Sequence, residues 1–144
     1  MKTVQDGKFD HSQFMLPLGY TGEVEPVTVD KPWGEEIWFI VTEFFTFKHL
    51  VLDSGKEFSL QTHRVKNEAW VVLQGTLRLL VGPSPDELTE LTLTPDSQAF
   101  HISHGSAHRA KAIGHEPVII AEVSTSQLDD VIRHEDHWGR GTLT

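Results

Sequence analysis

The stretch GKEFSLQTHRVKNEAWVVLQG, Gly55 to Gly75, has a polar first half and an apolar second half between two glycines. Side chains alternate faces along a strand, so Gln61 and His63, two residues apart, point the same way. After a short polar bend, Glu68 heads the apolar run Ala69 to Leu73, and Glu68, Trp70 and Val72 share a face. Far along the chain, SHGSAH (103–108) ends in His108, which a neighbouring strand can bring back to the same place. There His108, Ala110 and Ala112 face one way, while Arg109 and Lys111 face the other. Two imidazoles, a carboxylate and a carboxamide oxygen make a set able to hold one divalent metal ion. The expected ligands are therefore Gln61, His63, Glu68 and His108. A carboxamide oxygen is a harder and weaker donor than imidazole, and a single carboxylate leaves the ion a net positive charge. Zn, Mn, Fe, Co and Ni all suit such a set. Small residues behind His108 leave room for a substrate, and Trp70 supplies an aromatic wall.

Outward from this stretch the chain is a succession of short apolar runs separated by turn residues. Residues 1–30 have no clean period. FMLPLGY places Phe14, Met15, Leu16, Leu18 and Tyr20 among turn residues, as a loose arm or as one that packs on the body of the protein or on a second copy. Lys31-Pro32-Trp33-Gly34 punctuates the start of a domain. Glu35–Val41 and Phe44–Leu52 then read as strands rich in aromatic and β-branched residues. Gln74-Gly75 reads as a hairpin turn into a strand over Thr76–Val81. GPSPDE reads as a plain loop, and Leu88–Thr94 as a half-exposed strand. Ala99–Ile102, Ala107–Ala112 and Val118–Val123 complete the set. No stretch has a helical period. Many short strands without intervening helices predict an antiparallel sandwich or barrel.

Composition narrows the function. At 144 residues the chain is one domain long enough to bury a core. It has no cysteine, which removes disulfides, thiolate nucleophiles and Cys-based zinc sites and fits a cytoplasmic location. No apolar run reaches the length of a membrane span, and the first residues lack a signal-peptide core. The net charge of −9 argues against nucleic acid as a partner. An anionic small molecule would need dedicated cations. Nine histidines are present; apart from the expected ligands, His101 and His49 are placed to reach a cavity, His104 lies in the turn of the SHGSAH segment, and His11, His115, His134 and His137 read as surface residues. Lys48 shares a strand face with Leu50 and Leu52.

The first stretch resembles the first cupin motif, Gly, five residues, His-x-His, four residues, Glu, six residues, Gly, with Gln61 in place of the first His. Gln61-Thr62-His63 followed by Glu68-x-Trp70 is similar to the cupin domain of type II mannose-6-phosphate isomerases. Ser103-His104-Gly105-Ser106-Ala107-His108 resembles the second motif, Pro-x-Gly-x-x-His, with Ser for Pro. The tail EVSTSQLDDVIRHEDHWGR is similar to the end of the same isomerases. The resemblance covers about residues 31–140. It implies an all-β double-stranded β-helix, an antiparallel jelly-roll barrel, with an N-terminal arm over residues 1–30 and the cupin domain over 31–144. It also implies a small-molecule substrate, a sugar phosphate above all, and a homodimer.

The implied chemistry is aldose–ketose isomerisation, with a metal ion beside the carbonyl and hydroxyl oxygens and a base moving a proton between neighbouring carbons. Lys48, His101 and Glu122 are the candidates for that base; Lys48 also matches a lysine in the corresponding isomerase strand. Arg140, at the matching end of the tail, is the candidate for the phosphate, because guanidinium offers a fixed fork of donors. Arg133 and Lys66 are second choices. Two His and one carboxylate also describe a non-haem metal-dependent oxygenase or a cyclase, for which Trp70 and the Phe-rich strand would suit an apolar or aromatic substrate. A cupin that binds a small molecule without turning it over is the third reading.

Overall fold

Strand periodicity dominates the chain because buried and half-exposed residues alternate. Thr46, Lys48, Leu50 and Leu52 are buried while Phe47, His49 and Val51 are not. In the computed structural model, which describes residues 2–8 and 10–136, this pattern forms twelve strands and a single 3-10 turn at His11–Gln13, with no α-helix among the described residues. The strands are β1 (Lys2–Gln5), β2 (Val27–Lys31), β3 (Gly34–Val41), β4 (Thr46–Leu52), β5 (Leu60–Thr62) and β6 (Glu68–Gln74). They continue with β7 (Thr76–Ser84), β8 (Glu87–Leu93), β9 (Phe100–Ile102), β10 (Ala107–Ile113), β11 (Val118–Ser124) and β12 (Ile132–Glu135). One sheet has the order β1-β2-β3-β4-β11-β6-β9 and the other β12-β5-β10-β7-β8. All pairs are antiparallel except β1 with β2. None of the described helical segments is long and apolar enough to cross a membrane.

The core fills the space between the sheets. Leu50, Leu52, Val72, Val118 and Ile120 from the larger sheet meet Leu77, Leu79, Ala110 and Ala112 from the smaller. Each fully buried leucine contributes about 1.5–3 kcal/mol of transfer free energy. A second cluster, Val27, Val29, Trp38 and Val41, lies toward the first strands, with Phe14 packed on it. Phe14 meets the Trp38 ring edge-on at 6.4 Å, and the Leu16 N–H donates to the Val41 carbonyl at 2.9 Å. Together with the β1–β2 pairing, these contacts lay residues expected to form an arm onto the barrel of their own chain.

Three local expectations are corrected. Gln74-Gly75 is no hairpin turn: β6 pairs with β9 and β11, β7 with β8 and β10, so the bend carries the chain from one sheet to the other. Gly75 has φ +84°, and a Cβ there would sit 2.8 Å from the Pro117 carbonyl oxygen, so only glycine fits the crossing. GPSPDE is no plain loop, because β7 runs on to Ser84 and β8 starts at Glu87, leaving only a two-residue connection. The second aromatic strand begins at Thr46; Phe44 and Phe45 lie in the preceding turn, exposed, where the Thr42 hydroxyl accepts both their backbone N–H groups at 3.1 Å.

Candidate metal centre

His63, Glu68 and His108 converge, each buried, with ligand-capable atoms all within 4.8 Å of one another. Glu68 opens β6, His108 lies on β10 and His63 follows the end of β5. β5 and β10 are neighbours, with His108 directly opposite Gln61, which explains how residues 47 positions apart meet. His63 Nε2 stands 3.0 Å from Glu68 Oε1, and His108 Nε2 stands 3.8 Å from Glu68 Oε2. The Gln61 amide nitrogen is 3.5 Å from His108 Nε2, at the edge of the group. The four residues singled out in the sequence are thus neighbours, three of them as a compact triad.

Hydrogen bonding fixes which ring nitrogens face the centre. His63 Nδ1 meets the backbone carbonyl of Asp130, and a carbonyl only accepts, so Nδ1 carries the proton. The Nε2 lone pair therefore points at a carboxylate oxygen, and two facing lone pairs repel unless a cation or proton lies between them. His108 Nδ1 likewise faces the Ser106 carbonyl at 3.5 Å. His63 Nε2 and Glu68 Oε2 are buried and lack a hydrogen-bond partner. An orphaned imidazole nitrogen and an orphaned carboxylate oxygen aimed at one point fit a divalent cation. Carbonyl acceptors on the far nitrogens are the usual support for metal-binding imidazoles.

The electrostatics agree with this geometry. Burial opposes charge on Glu68, but Lys66 at 2.9 Å, the His63 contact and His108 outweigh it and hold its carboxyl well below the usual carboxylate range. Burial pushes the His108 imidazole down to about 4 against the pull of Glu68, so it is neutral and able to ligate at neutral pH.

The loop carrying His63 is held from several sides. Gly105, with φ +83°, donates its N–H to the His63 carbonyl at 2.7 Å. Asn67 Oδ1 accepts the His104 N–H at 2.9 Å, and the Asn67 N–H donates to Thr125 Oγ1 at 3.1 Å. His104 therefore meets Asn67 Oδ1 through both its backbone N–H and its imidazole Nδ1, the latter at 3.2 Å, while Gly105 acts through its backbone.

Next to the metal group runs a rung of side chains in direct cross-strand register, Trp38, Lys48, Glu122 and Trp70 on β3, β4, β11 and β6. Lys48 Nζ lies 3.5 Å from Glu122 Oε2 and 2.8 Å from Glu36 Oε1. The Trp70 indole donates to Glu122 at 3.0 Å, and the Trp38 indole donates to Glu36 at 2.9 Å. Burial raises the Glu122 carboxyl above its ordinary value although Lys48 pulls the other way. Burial would likewise raise Glu36, but Lys48 and Lys31 bring it down to about 2. Burial opposes the Lys48 charge, yet Glu36 and Glu122 together raise its pKa. Lys48 is therefore no surface lysine with a buried stem. Glu36, Trp38 and Lys66 are members of this site that the sequence reading passed over or ranked second; a charged residue on the apolar face of a strand was the available signal.

These groups line one cavity of about 430 Å³, with Trp33 and Phe58 on its wall and Asp130 and Arg133 near the triad. Two expected residues lie elsewhere. His101 sits on β9 opposite Ala69, exposed and outside the cavity, because that position alternates outward from buried Ile102. His49 faces the outside of the larger sheet, edge-on to Phe39 at 4.6 Å and Phe47 at 5.9 Å. The Phe-rich strand consequently turns Phe47 away from the cavity, and the aromatic lining comes from Trp33, Trp38, Phe58 and Trp70. Arg140 and His137 lie outside the described residues.

A double sheet of short antiparallel strands that encloses a His, Glu, His group defines a cupin. The chain belongs to the family described as mannose-6-phosphate isomerase C-terminal, whose model matches residues 23–136. Among curated relatives it is 33% identical over 115 residues to the xanthan biosynthesis protein XanB of Xanthomonas campestris, which covers 78% of this chain. It is 30% identical over 115 residues to the mannose-1-phosphate guanylyltransferase ManC of Salmonella typhimurium, again over 78% of the chain. Each match takes in 23% of the relative, so the chain spans under a quarter of those proteins. Among solved structures, the capsular polysaccharide assembling protein CapF of Staphylococcus aureus shares the fold, with a TM-score of 0.71 and 18% identity over 78% of this chain and 32% of that one.

Proposed function

We propose that this cupin binds one divalent metal ion through His63, Glu68 and His108, with Gln61 beside them, and isomerises a phosphorylated sugar in the adjoining cavity. The observation that carries the reading is the Trp38–Lys48–Glu122–Trp70 rung beside the triad, inside a chain of the mannose-6-phosphate isomerase C-terminal family. A bound divalent ion would supply electrostatic stabilisation of an enediolate. Glu122 is the base we favour. Its raised pKa keeps a proton within reach, and one of its oxygens is buried without a hydrogen-bond partner. Lys48, bridging Glu36 and Glu122, holds that carboxyl in place and balances its charge. The tryptophans flanking the rung offer flat apolar surfaces to the C–H face of a sugar ring. Arg140 remains our candidate for the phosphate, with Arg133 on the cavity wall as its nearest described alternative.

The test is to incubate the chain with mannose 6-phosphate and each of Zn²⁺, Mn²⁺, Fe²⁺, Co²⁺ and Ni²⁺ in deuterated water. The expected result is the 2-ketose isomer, with solvent deuterium at C2 of recovered aldose. Saturable binding without conversion would replace the isomerase by a sugar-binding cupin. Oxygen consumption with Fe²⁺ and no sugar turnover would select the oxygenase reading.

The working unit in this proposal is a cytoplasmic homodimer. Supporting it is the outer face of β3, β4, β11 and β6. Between margins at Glu35 and His101 that face carries apolar residues and His49, whose pKa burial lowers. Its β3–β4 half carries Ile37, Phe39 and Phe47, and its β11–β6 half Ile119, Ala121, Val123, Ala69 and Val71. A two-fold axis along the strands would set each apolar half of one copy over the other half of its partner.

A further inference from the structure

His63 has little regular structure to aim it. β5 is three residues long and ends at Thr62, so His63 and the next four residues leave the sheet before β6 begins at Glu68. From the C-terminal side, Thr125 holds Asn67 through two hydrogen bonds, and a single further residue in the connection between β11 and β12 grips residues 63–66. Asp130 Oδ1 accepts the Arg64 N–H at 3.0 Å, and Oδ2 accepts those of Val65 at 2.7 Å and Lys66 at 2.9 Å. The carbonyl of the same Asp130 accepts the His63 Nδ1 proton. Four successive residues, 63 to 66, are thus held by the two ends of one aspartate. Three consecutive N–H groups converging on one carboxylate form an anion-binding nest, which needs the negative charge to stay closed.

We propose that Asp130 is a positioning residue: its carboxylate sets the path of residues 64–66 so that its carbonyl can fix the tautomer and aim of His63. The inference rests on reading the triad as a metal site. The carboxylate acts through the loop, bonded to backbone N–H groups of residues 64–66. Removing it leaves the carbonyl in the chain but frees the N–H groups of residues 64–66, while the Thr125–Asn67 hydrogen bonds still join the two segments. Gly105 still holds the His63 carbonyl, so the loop stays attached while the imidazole loses its fixed orientation.

The experiment compares wild type, Asp130→Ala and Asp86→Ala, the last removing an equal charge from the exposed β7–β8 connection. Long-range nitrogen–proton NMR of the metal-free proteins reads the tautomer of each histidine, and Co²⁺ titration reads affinity and the ligand-field spectrum. In wild type and Asp86→Ala, His63 is expected as the Nδ1–H form. In Asp130→Ala its signal becomes a tautomer mixture while that of His108 is unchanged. Co²⁺ affinity should fall about 10- to 100-fold with a shifted spectrum, the size of loss typical for outer-shell partners of metal-binding histidines. Should Asp130→Ala not fold, Asp130→Asn, which keeps one acceptor oxygen, gives the same two readouts with a smaller displacement. An unchanged His63 tautomer, or a Co²⁺ affinity equal to that of Asp86→Ala, would overturn the assignment. If wild type takes up no Co²⁺, the metal reading itself falls, and the tautomer of the metal-free protein alone decides the role of Asp130.

Discussion

At the scale of single residues, the metal group was legible because its members sit at strand spacing around one turn. His63 and Glu68 are five apart across a bend, and His108 returns on a strand that the register puts beside Gln61. Lys48 and Glu122 were legible as charges on otherwise apolar faces, but their pairing needed the β4–β11 register. His101 misled because polar residues near a motif do not announce which face they take, and buried Ile102 turns it outward. Asp130 gives no such local signal: its partners are backbone N–H groups 64–66 positions away, which no local pattern encodes. Two predictions belong here. Glu122→Gln keeps the shape and a donor–acceptor group for Trp70 and Lys48 but cannot take up a proton; sugar isomerisation should fall at least about 100-fold, the usual size of a general-base contribution, with metal content unchanged. Arg140→Ala should raise KM or Kd for a phosphosugar roughly ten- to over a hundred-fold, the worth of one charged hydrogen bond of ~1.5–3 kcal/mol. Steady-state kinetics checks both, and an unaltered KM in the second would remove Arg140 from the site.

At the scale of elements, strand existence followed from alternation, whereas partnership did not. The turn at Gly75 has the composition of a hairpin, and only the pairing of β6 with β11 reveals that it bends between sheets. Short strands such as β5 and β12 have too few residues for a period to show. The β3–β4 pair carries a buried ion pair, Glu36 with Lys48, and this has a pH signature. The Glu36 carboxyl is depressed from 4.5 to about 2, so its contribution to stability is fully present above 4.5 and is lost as pH falls from 4.5 through 2. Glu36→Gln should cost about 3 kcal/mol near neutrality, since it leaves Lys48 buried with Glu122 alone, and the gap to wild type should close in that acid window. Urea melts of both proteins at successive pH values measure it; a gap constant down to pH 2 would contradict the pairing. In the opposite sheet, Leu79→Ala on β7 should cost about 2–5 kcal/mol, because the residue is fully buried against the core.

At the scale of the whole molecule, an acidic chain encloses a cavity whose own cations are already engaged, Lys31 with Asp6, Lys48 with Glu36 and Glu122, Lys66 with Glu68. A phosphate would have to be met by a bound metal ion and by a further cation, the part the proposal gives to Arg140, with Arg133 of the cavity wall as the alternative. The charge-poor outer sheet face belongs to this scale as well. Light scattering after gel filtration should give about twice the 16.2 kDa chain mass, and Val123→Lys, a change at an exposed position of that face, should return the protein to a monomer with its melting temperature nearly unchanged. A wild-type monomer at tens of micromolar would remove the dimer.

The whole account depends on the triad being a metal site. Its most direct test is elemental analysis of the purified protein after divalent-metal loading and gel filtration, with the His63→Ala, His108→Ala double variant alongside. The account predicts about one ion per chain in wild type and close to none in the folded double variant. Wild type without bound metal, or a double variant that retains its full complement, would contradict it.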